Sequence, residues 1–121
     1  MGIAMKMRKR PSEKSKKRYI AFRLHSPAPI PYYNVRNAIL DSVEKWIGVK
    51  GLAGSRSRLV RNLWDPKKQF GIISCSHVFV DDVKLALALV TRIGDENAVF
   101  QTLMVSGTIR GAVEKSKPKL A

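Results

Sequence analysis

Acidic side chains, cysteine and histidine are all scarce in this 121-residue chain, and each shortage removes a class of function. Nine Asp and Glu stand against 23 Lys and Arg, a formal net charge of +14. Such an excess repels itself on folding unless a polyanion neutralises it. The composition therefore points to nucleic acid or an anionic membrane surface, and nucleic acid is the commoner partner of a small soluble domain. The single cysteine, Cys75, excludes an intrachain disulfide framework and a cysteine-cluster metal site, and fits a reducing cytosol. It lies inside an apolar run and reads as a buried, inert thiol. The two histidines, His25 and His77, read as a strand-end and a helix-start residue.

Recognisable catalytic patterns are missing too. There is no P-loop, no nucleophile elbow and no spaced pair of carboxylates. Asp81 and Asp82 are adjacent, about 100° apart on a helix, where they suit the positive end of its dipole. No apolar stretch near Met1 has signal-peptide length and no window approaches a membrane span, so a soluble, cytoplasmic protein without a membrane partner is expected.

What the chain does contain is one domain's worth of patterned sequence, 45% hydrophobic, between two basic ends. Residues 1–17 carry many Lys and Arg and few large apolar side chains, so they are expected to form a flexible basic arm. Residues 18–110 read as one domain, and 111–121 as a basic tail whose first turn could be helical.

Ile20, Phe22 and Leu24 alternate with Tyr19, Ala21, Arg23 and His25, the period of a half-buried strand, before prolines at 27, 29 and 31. Val35, Ala38, Ile39, Val43, Trp46 and Ile47 recur at three and four, which predicts a helix over about 31–47, with Pro31 in its first turn and Gly48 at its stop. A glycine-containing loop follows. Residues 58–65 and 69–76 flank Asp65-Pro66-Lys67-Lys68 and read as an antiparallel hairpin. Val80, Val83, Ala86, Leu87, Val90 and Ile93 share one face of a second helix, about 79–93, ending at Gly94. The last strand is read over 98–110.

The order β-α-β-β-α-β implies an α+β, ferredoxin-like sandwich: a four-stranded antiparallel sheet with both helices on one face, the topology of RNA-recognition-motif proteins. Acylphosphatases share the topology, but the loop SPAPIP after the first strand offers no phosphate cradle. Bases stack on third-strand aromatics in a conventional RNA-recognition motif. Here that strand offers Phe70-Gly71 and then Ile72 and Cys75, so phosphate and shape recognition is expected instead, with Tyr19 and Tyr32 left open.

The cations expected to meet RNA form two regions. One is the arm and its junction, Arg8, Lys9, Arg10, Lys16, Lys17 and Arg18. The other is Lys50, Arg56, Arg58, Arg61, Lys67 and Lys68, and Arg110 is a further candidate. Trp46, Trp64, Val78 and Phe79 are the candidates for a protein-binding surface, set against the commoner fate of such residues in a core.

Several stretches resemble one family. A basic arm running into RYIAFRL, a helix, a hairpin ending in GII, VDDVKLALALVTRIG and above all VSGTIR at 105–110 are similar to the Pop-five family, the small protein of archaeal and eukaryotic ribonuclease P, called component two in archaea. At Ser74 the chain departs from the basic residue that family members often carry. The resemblance implies a non-catalytic subunit of the ribonucleoprotein that removes the 5′ leader from precursor tRNA. There the RNA cleaves with magnesium ions, and this protein, binding no cofactor itself, supports the RNA's catalytic domain. It also implies pairing with protein component three, in a two-plus-two assembly. A ribosomal or other structured-RNA-binding protein of the same fold is the alternative; a metabolite-binding regulatory domain would not need +14 of charge.

Within SGTIR, Gly107 is expected to mark a bulge or a close approach by another backbone. Thr108 and Ile109 then resume the strand, and Arg110 projects from its end.

Overall fold

Ile20, Phe22 and Leu24 turn to one face of strand β1 (Lys17–His25), as their spacing predicts, and are essentially removed from solvent. A computed structural model describes residues 16–120. After β1 the chain forms α1 (Tyr32–Ser55), β2 (Arg58–Leu59), β3 (Phe70–Ser76), α2 (Val80–Leu89), β4 (Arg92–Ile93), β5 (Glu96–Asn97), β6 (Val99–Ser106) and α3 (Ile109–Leu120). The main sheet is antiparallel in the order β2-β3-β1-β6, the expected ferredoxin-like arrangement. Both predicted helices cover one face: Val35, Ile39 and Val43 of α1 and Val83, Ala86 and Leu87 of α2 pack on the β1 side chains and on Phe100. Each of the larger of these side chains, Val, Ile, Leu or Phe, contributes about 1.5–3 kcal/mol when fully buried. The Ser42 hydroxyl ties the helices together by donating to the Ala86 carbonyl at 2.7 Å.

Four boundaries differ from the sequence reading. Gly48 breaks helical geometry with φ 79° as foreseen, but the chain re-enters the helix and runs to Ser55, so the expected loop is helical. The hairpin turn is real, with Asp65 Oδ1 accepting from the Lys67 and Lys68 backbone N–H groups at 3.0 and 3.2 Å. Its first arm, however, pairs only at Arg58 and Leu59 before a short 3-10 turn, Arg61–Leu63. That turn sends Leu63 to one face of the sheet and Trp64 to the other. The second helix stops at Leu89, and Ile93 belongs to the small β4–β5 hairpin. Its side chain is still buried against the same core, which is why the helical period fitted it.

The largest difference is at the C-terminal end. The strand read to 110 ends at Ser106, and the segment read as a tail is a helix through Leu120. Gly107 has neither a positive φ nor a crowded Cβ position, and the bulge lies earlier: Ala21 pairs with Met104 and Phe22 with Thr102, leaving Leu103 as the extra residue. This shift turns both Leu103 and Met104 to the second sheet face, where α3 lies with Ala112 and Ser116 fully buried against Ala21, Ile72 and Leu103. Lys119 Nζ donates to the Leu103 carbonyl at 2.6 Å. β1 and β3 are therefore covered on both faces rather than half-buried.

Candidate nucleic-acid interface

Arg8, Lys9 and Arg10 lie outside the described residues. The other candidates are placed by strand register. Arg58, Ser74, Tyr19 and Ser106 stand opposite one another across the four strands. Beyond that row, at the same end of the sheet, come Lys16, Lys17 and Arg18 at the start of β1, Arg56 capping α1, and Arg110 in the first turn of α3. All but the half-buried Arg18 are exposed. Arg110 thus joins the junction cations, though from a helix and not from a strand end. Ser74 is buried, but Arg58 on the neighbouring strand supplies a cation in its row.

Lys67 and Lys68 separate from this group. They sit on the turn leading into Phe70, at the opposite end of β3, with Arg61 between them and Arg58 along the β2 edge. The single hairpin-side patch read from the sequence is therefore a stripe along that edge which turns the corner into the sheet end. Lys50 is exposed on α1 beyond the Gly48 kink. Among the described residues the only ion pair is Lys117 with Glu114, at 3.4 Å, so none of these arginines and lysines is neutralised by a described carboxylate.

The acids are elsewhere. Asp41, Glu44, Asp81, Asp82, Asp95 and Glu96, six of the nine, lie on α1, α2 and the β4–β5 turn. This helical layer also carries four of the exposed large apolar residues, Trp46, Val49, Leu85 and Leu89, at 46%, 70%, 41% and 54% accessible, while Val99 and Ile109 are exposed on β6 and α3. Trp46 borders an open groove of about 590 Å³ with Leu89, Asp41, Lys45 and Arg92, and its indole N–H donates to Asp82 Oδ1 at 3.1 Å. Of the four partner-surface candidates, Trp46 and Val78 are exposed. Trp64 and Phe79 are not: Trp64 packs on Phe22 with ring centroids 6.2 Å apart, and Phe79 fills the space beside Gly54. Leu85 and Leu89 escaped the sequence reading, although their spacing of four, off the core stripe of Val83, Ala86 and Leu87, is a legible signal.

The face on which an RNA-recognition motif would stack bases is occupied by α3, with Tyr19 packed at its margin. The shortage of third-strand rings, Phe70 being the one on that face, is thus matched by a covered surface. No three His, Cys, Asp or Glu side chains converge among the described residues.

Residues 18–117 match the Rpp14/Pop5 family. The chain belongs to this family. It is 38% identical over 100 residues to ribonuclease P protein component 2 of Thermococcus gammatolerans, covering 83% of this chain and 82% of that one. The protein of the same name from Methanosarcina mazei is 34% identical over 105 residues, 87% of each chain. That from Pyrococcus furiosus is 35% identical over 100 residues, covering 83% and 82%. A chain in the cryo-EM structure of yeast ribonuclease MRP superposes with a TM-score of 0.61 over 86% of this chain and 93% of its own, at 12% identity, a likeness of fold. The family match runs to Lys117 and so takes in most of α3, the helix missed by periodicity. No helix among the described residues is long and apolar enough to cross a membrane.

Proposed function

We propose that this protein is the component-two subunit of a cytoplasmic ribonuclease P, in which RNA and magnesium ions remove the 5′ leader of precursor tRNA. Family membership carries this reading, and the segregation of charge supports it. The cations at the β1 end of the sheet and along the β2 edge meet phosphates of the RNA's catalytic domain, aided by the basic arm of residues 1–17. Neutralising phosphates lowers the magnesium needed to hold the RNA and its substrate together. On this reading the RNA supplies the catalytic groups and holds the magnesium ions, and the chain is a non-catalytic subunit.

The opposite, helical side serves the protein partner. Its mixed charge suits RNA poorly, whereas Trp46, Leu85 and Leu89 offer the kind of apolar centre with a polar rim that protein interfaces use. Component three docks there, and two copies of each protein make up the assembly.

Reconstitution tests both parts. Adding the full chain, with and without component three, to ribonuclease P RNA is expected to raise precursor-tRNA cleavage at low magnesium. Affinity for that RNA falls with salt at a slope on the order of 0.7–0.9 per phosphate contacted. No gain in cleavage with either combination, or preferential binding to a different structured RNA, overturns the assignment.

A further inference from the structure

Arg61 does not reach freely into solvent. Its guanidinium carbon lies 4.8 Å from the ring centroid of Tyr33 and 5.3 Å from that of Tyr32, and the guanidinium donates a hydrogen bond to the Tyr33 hydroxyl. The two rings meet edge to face, 5.2 Å apart at 79°. Tyr32 is pinned from below, its hydroxyl donating to the Leu59 carbonyl at 2.7 Å. Tyr33, by contrast, is 54% exposed. One helical turn further on, Arg36 is held by a hydrogen bond to Asn37 Oδ1 at 3.0 Å.

The arrangement is a preformed ledge in which an exposed ring is held by one guanidinium and flanked by a second. We propose that Tyr33 is a stacking site for one unpaired RNA base, with Arg61 and Arg36 taking the adjoining phosphates. Three features select this ligand. A ring more than half exposed offers surface to any base that has left its own stack, at a cost a duplex cannot meet without opening. Arginine against an aromatic ring adds to the stack and remains available to phosphate. Neither Arg61 nor Arg36 lies within ion-pair distance of a described carboxylate, which fits a polyanion better than a mixed-charge protein surface. The site lies on the β2 edge stripe, so it gives that stripe a single-stranded contact in place of uniform phosphate binding. It also replaces, at a helix start, the sheet stacking that α3 blocks.

The proposal rests on the reading of the chain as RNA-binding, and two probes separate the claims: a short oligouridylate and an RNA duplex of equal length, titrated with the full chain. Tyr33→Ala is expected to weaken single-strand binding by at least about fivefold and to leave duplex binding unchanged, while Tyr33→Phe binds as the wild type does. Tyr33 is exposed, so the alanine variant is expected to melt with the parent; Tyr33→Gln, which keeps a long side chain there, takes its place if it does not. Unaltered single-strand affinity in the alanine or glutamine variant, or equal losses on both probes, overturns the stacking site and leaves phosphate binding standing. A wild-type chain that binds duplex but not oligouridylate does the same. A wild type that binds neither refutes the RNA reading itself. Loss of a protein partner by Tyr33→Ala with unchanged oligouridylate binding also overturns the proposal, because the ring then belongs to a protein interface.

Discussion

Gly71 lies against Phe22 in the centre of the sheet: a Cβ on Gly71 would stand 2.7 Å from Phe22 Cζ and 3.0 Å from Trp64 Cε3. Phe22 cannot yield easily, because Phe100 holds its other side edge to face at 5.2 Å. Gly71→Ala is therefore expected to cost about 1–3 kcal/mol through overpacking, read as a lower urea midpoint with an unchanged slope. Phe22→Leu in the same chain should relieve part of that cost. Strictly additive losses in the double variant would show that the close approach has no energetic consequence.

Ser106, Thr108 and Gly111 make the junction between β6 and α3. The Thr108 backbone N–H donates to Ser106 Oγ at 3.2 Å, and the Gly111 N–H to Thr108 Oγ1 at 3.0 Å, so Thr108 caps the helix. Thr108→Ala is expected to cost about 1 kcal/mol and Thr108→Ser much less. Gly107→Ala should be nearly neutral, since the nearest atom to its Cβ is Arg18 Nη1 at 3.8 Å. Thermal melts of the three variants check the ranking; a Gly107 variant more damaged than Thr108→Ala would contradict this account of the junction.

Why the junction reads as a strand is clear from the residues. Val105, Thr108 and Ile109 all favour strands, and a helix that docks through the small Ala112 and Ser116, with Val113 and Leu120 only partly buried beside them, offers periodicity a weak apolar stripe in a charged segment. The first-face core was legible because Ile20, Phe22 and Leu24, and Val35, Ile39 and Val43, are large and periodic. Charge was legible in amount but not in place: Lys67 is nine residues from Arg58, yet the length of β3 separates the groups they belong to. Trp64 and Phe79 could not be told from surface residues because their burial depends on the space beside Gly71 and Gly54. Tyr33 was hidden beside Tyr32, since only the fold reveals which of two adjacent rings faces outward.

Charge segregation predicts unequal effects of equal substitutions. Arg58→Glu, in the cationic row across the sheet, should weaken binding to ribonuclease P RNA about tenfold and reduce the salt slope by more than one phosphate's worth. Lys84→Glu, on the acid-rich α2, should change neither by more than about twofold. Electrophoretic binding assays at several salt concentrations decide this. Equal losses would mean that net charge, not its placement, drives association.

If α3 is an outer layer over a finished sheet, damage at its buried face has a ceiling. Ala112→Glu puts a carboxylate at a fully buried position, and the helix can avoid that cost only by leaving the sheet. Its stability should then equal that of a chain truncated after Thr108. Both should lie at least about 2 kcal/mol below the parent and bind a hydrophobic dye at the uncovered Ala21, Ile72 and Leu103. An Ala112→Glu chain much less stable than the truncation would show instead that α3 is integral to the cooperative core.

Cys75 carries a pH signature of burial. It is 1% exposed in the first-face core, and desolvation pushes its thiol from 9.0 up to about 11. Below pH 9.0 the folded and unfolded chains both keep the proton, so this group adds no slope. Between 9.0 and about 11 the unfolded chain releases a proton that the folded chain retains, and stability falls as pH rises. Above that window both forms are ionised and the slope from Cys75 disappears. The comparison is with Cys75→Val, which removes the thiol and leaves every other ionisable group in place. Urea unfolding across the window should show the wild type losing stability more steeply than the valine variant; parallel curves would mean that the folded thiol ionises as easily as the unfolded one and is not desolvated.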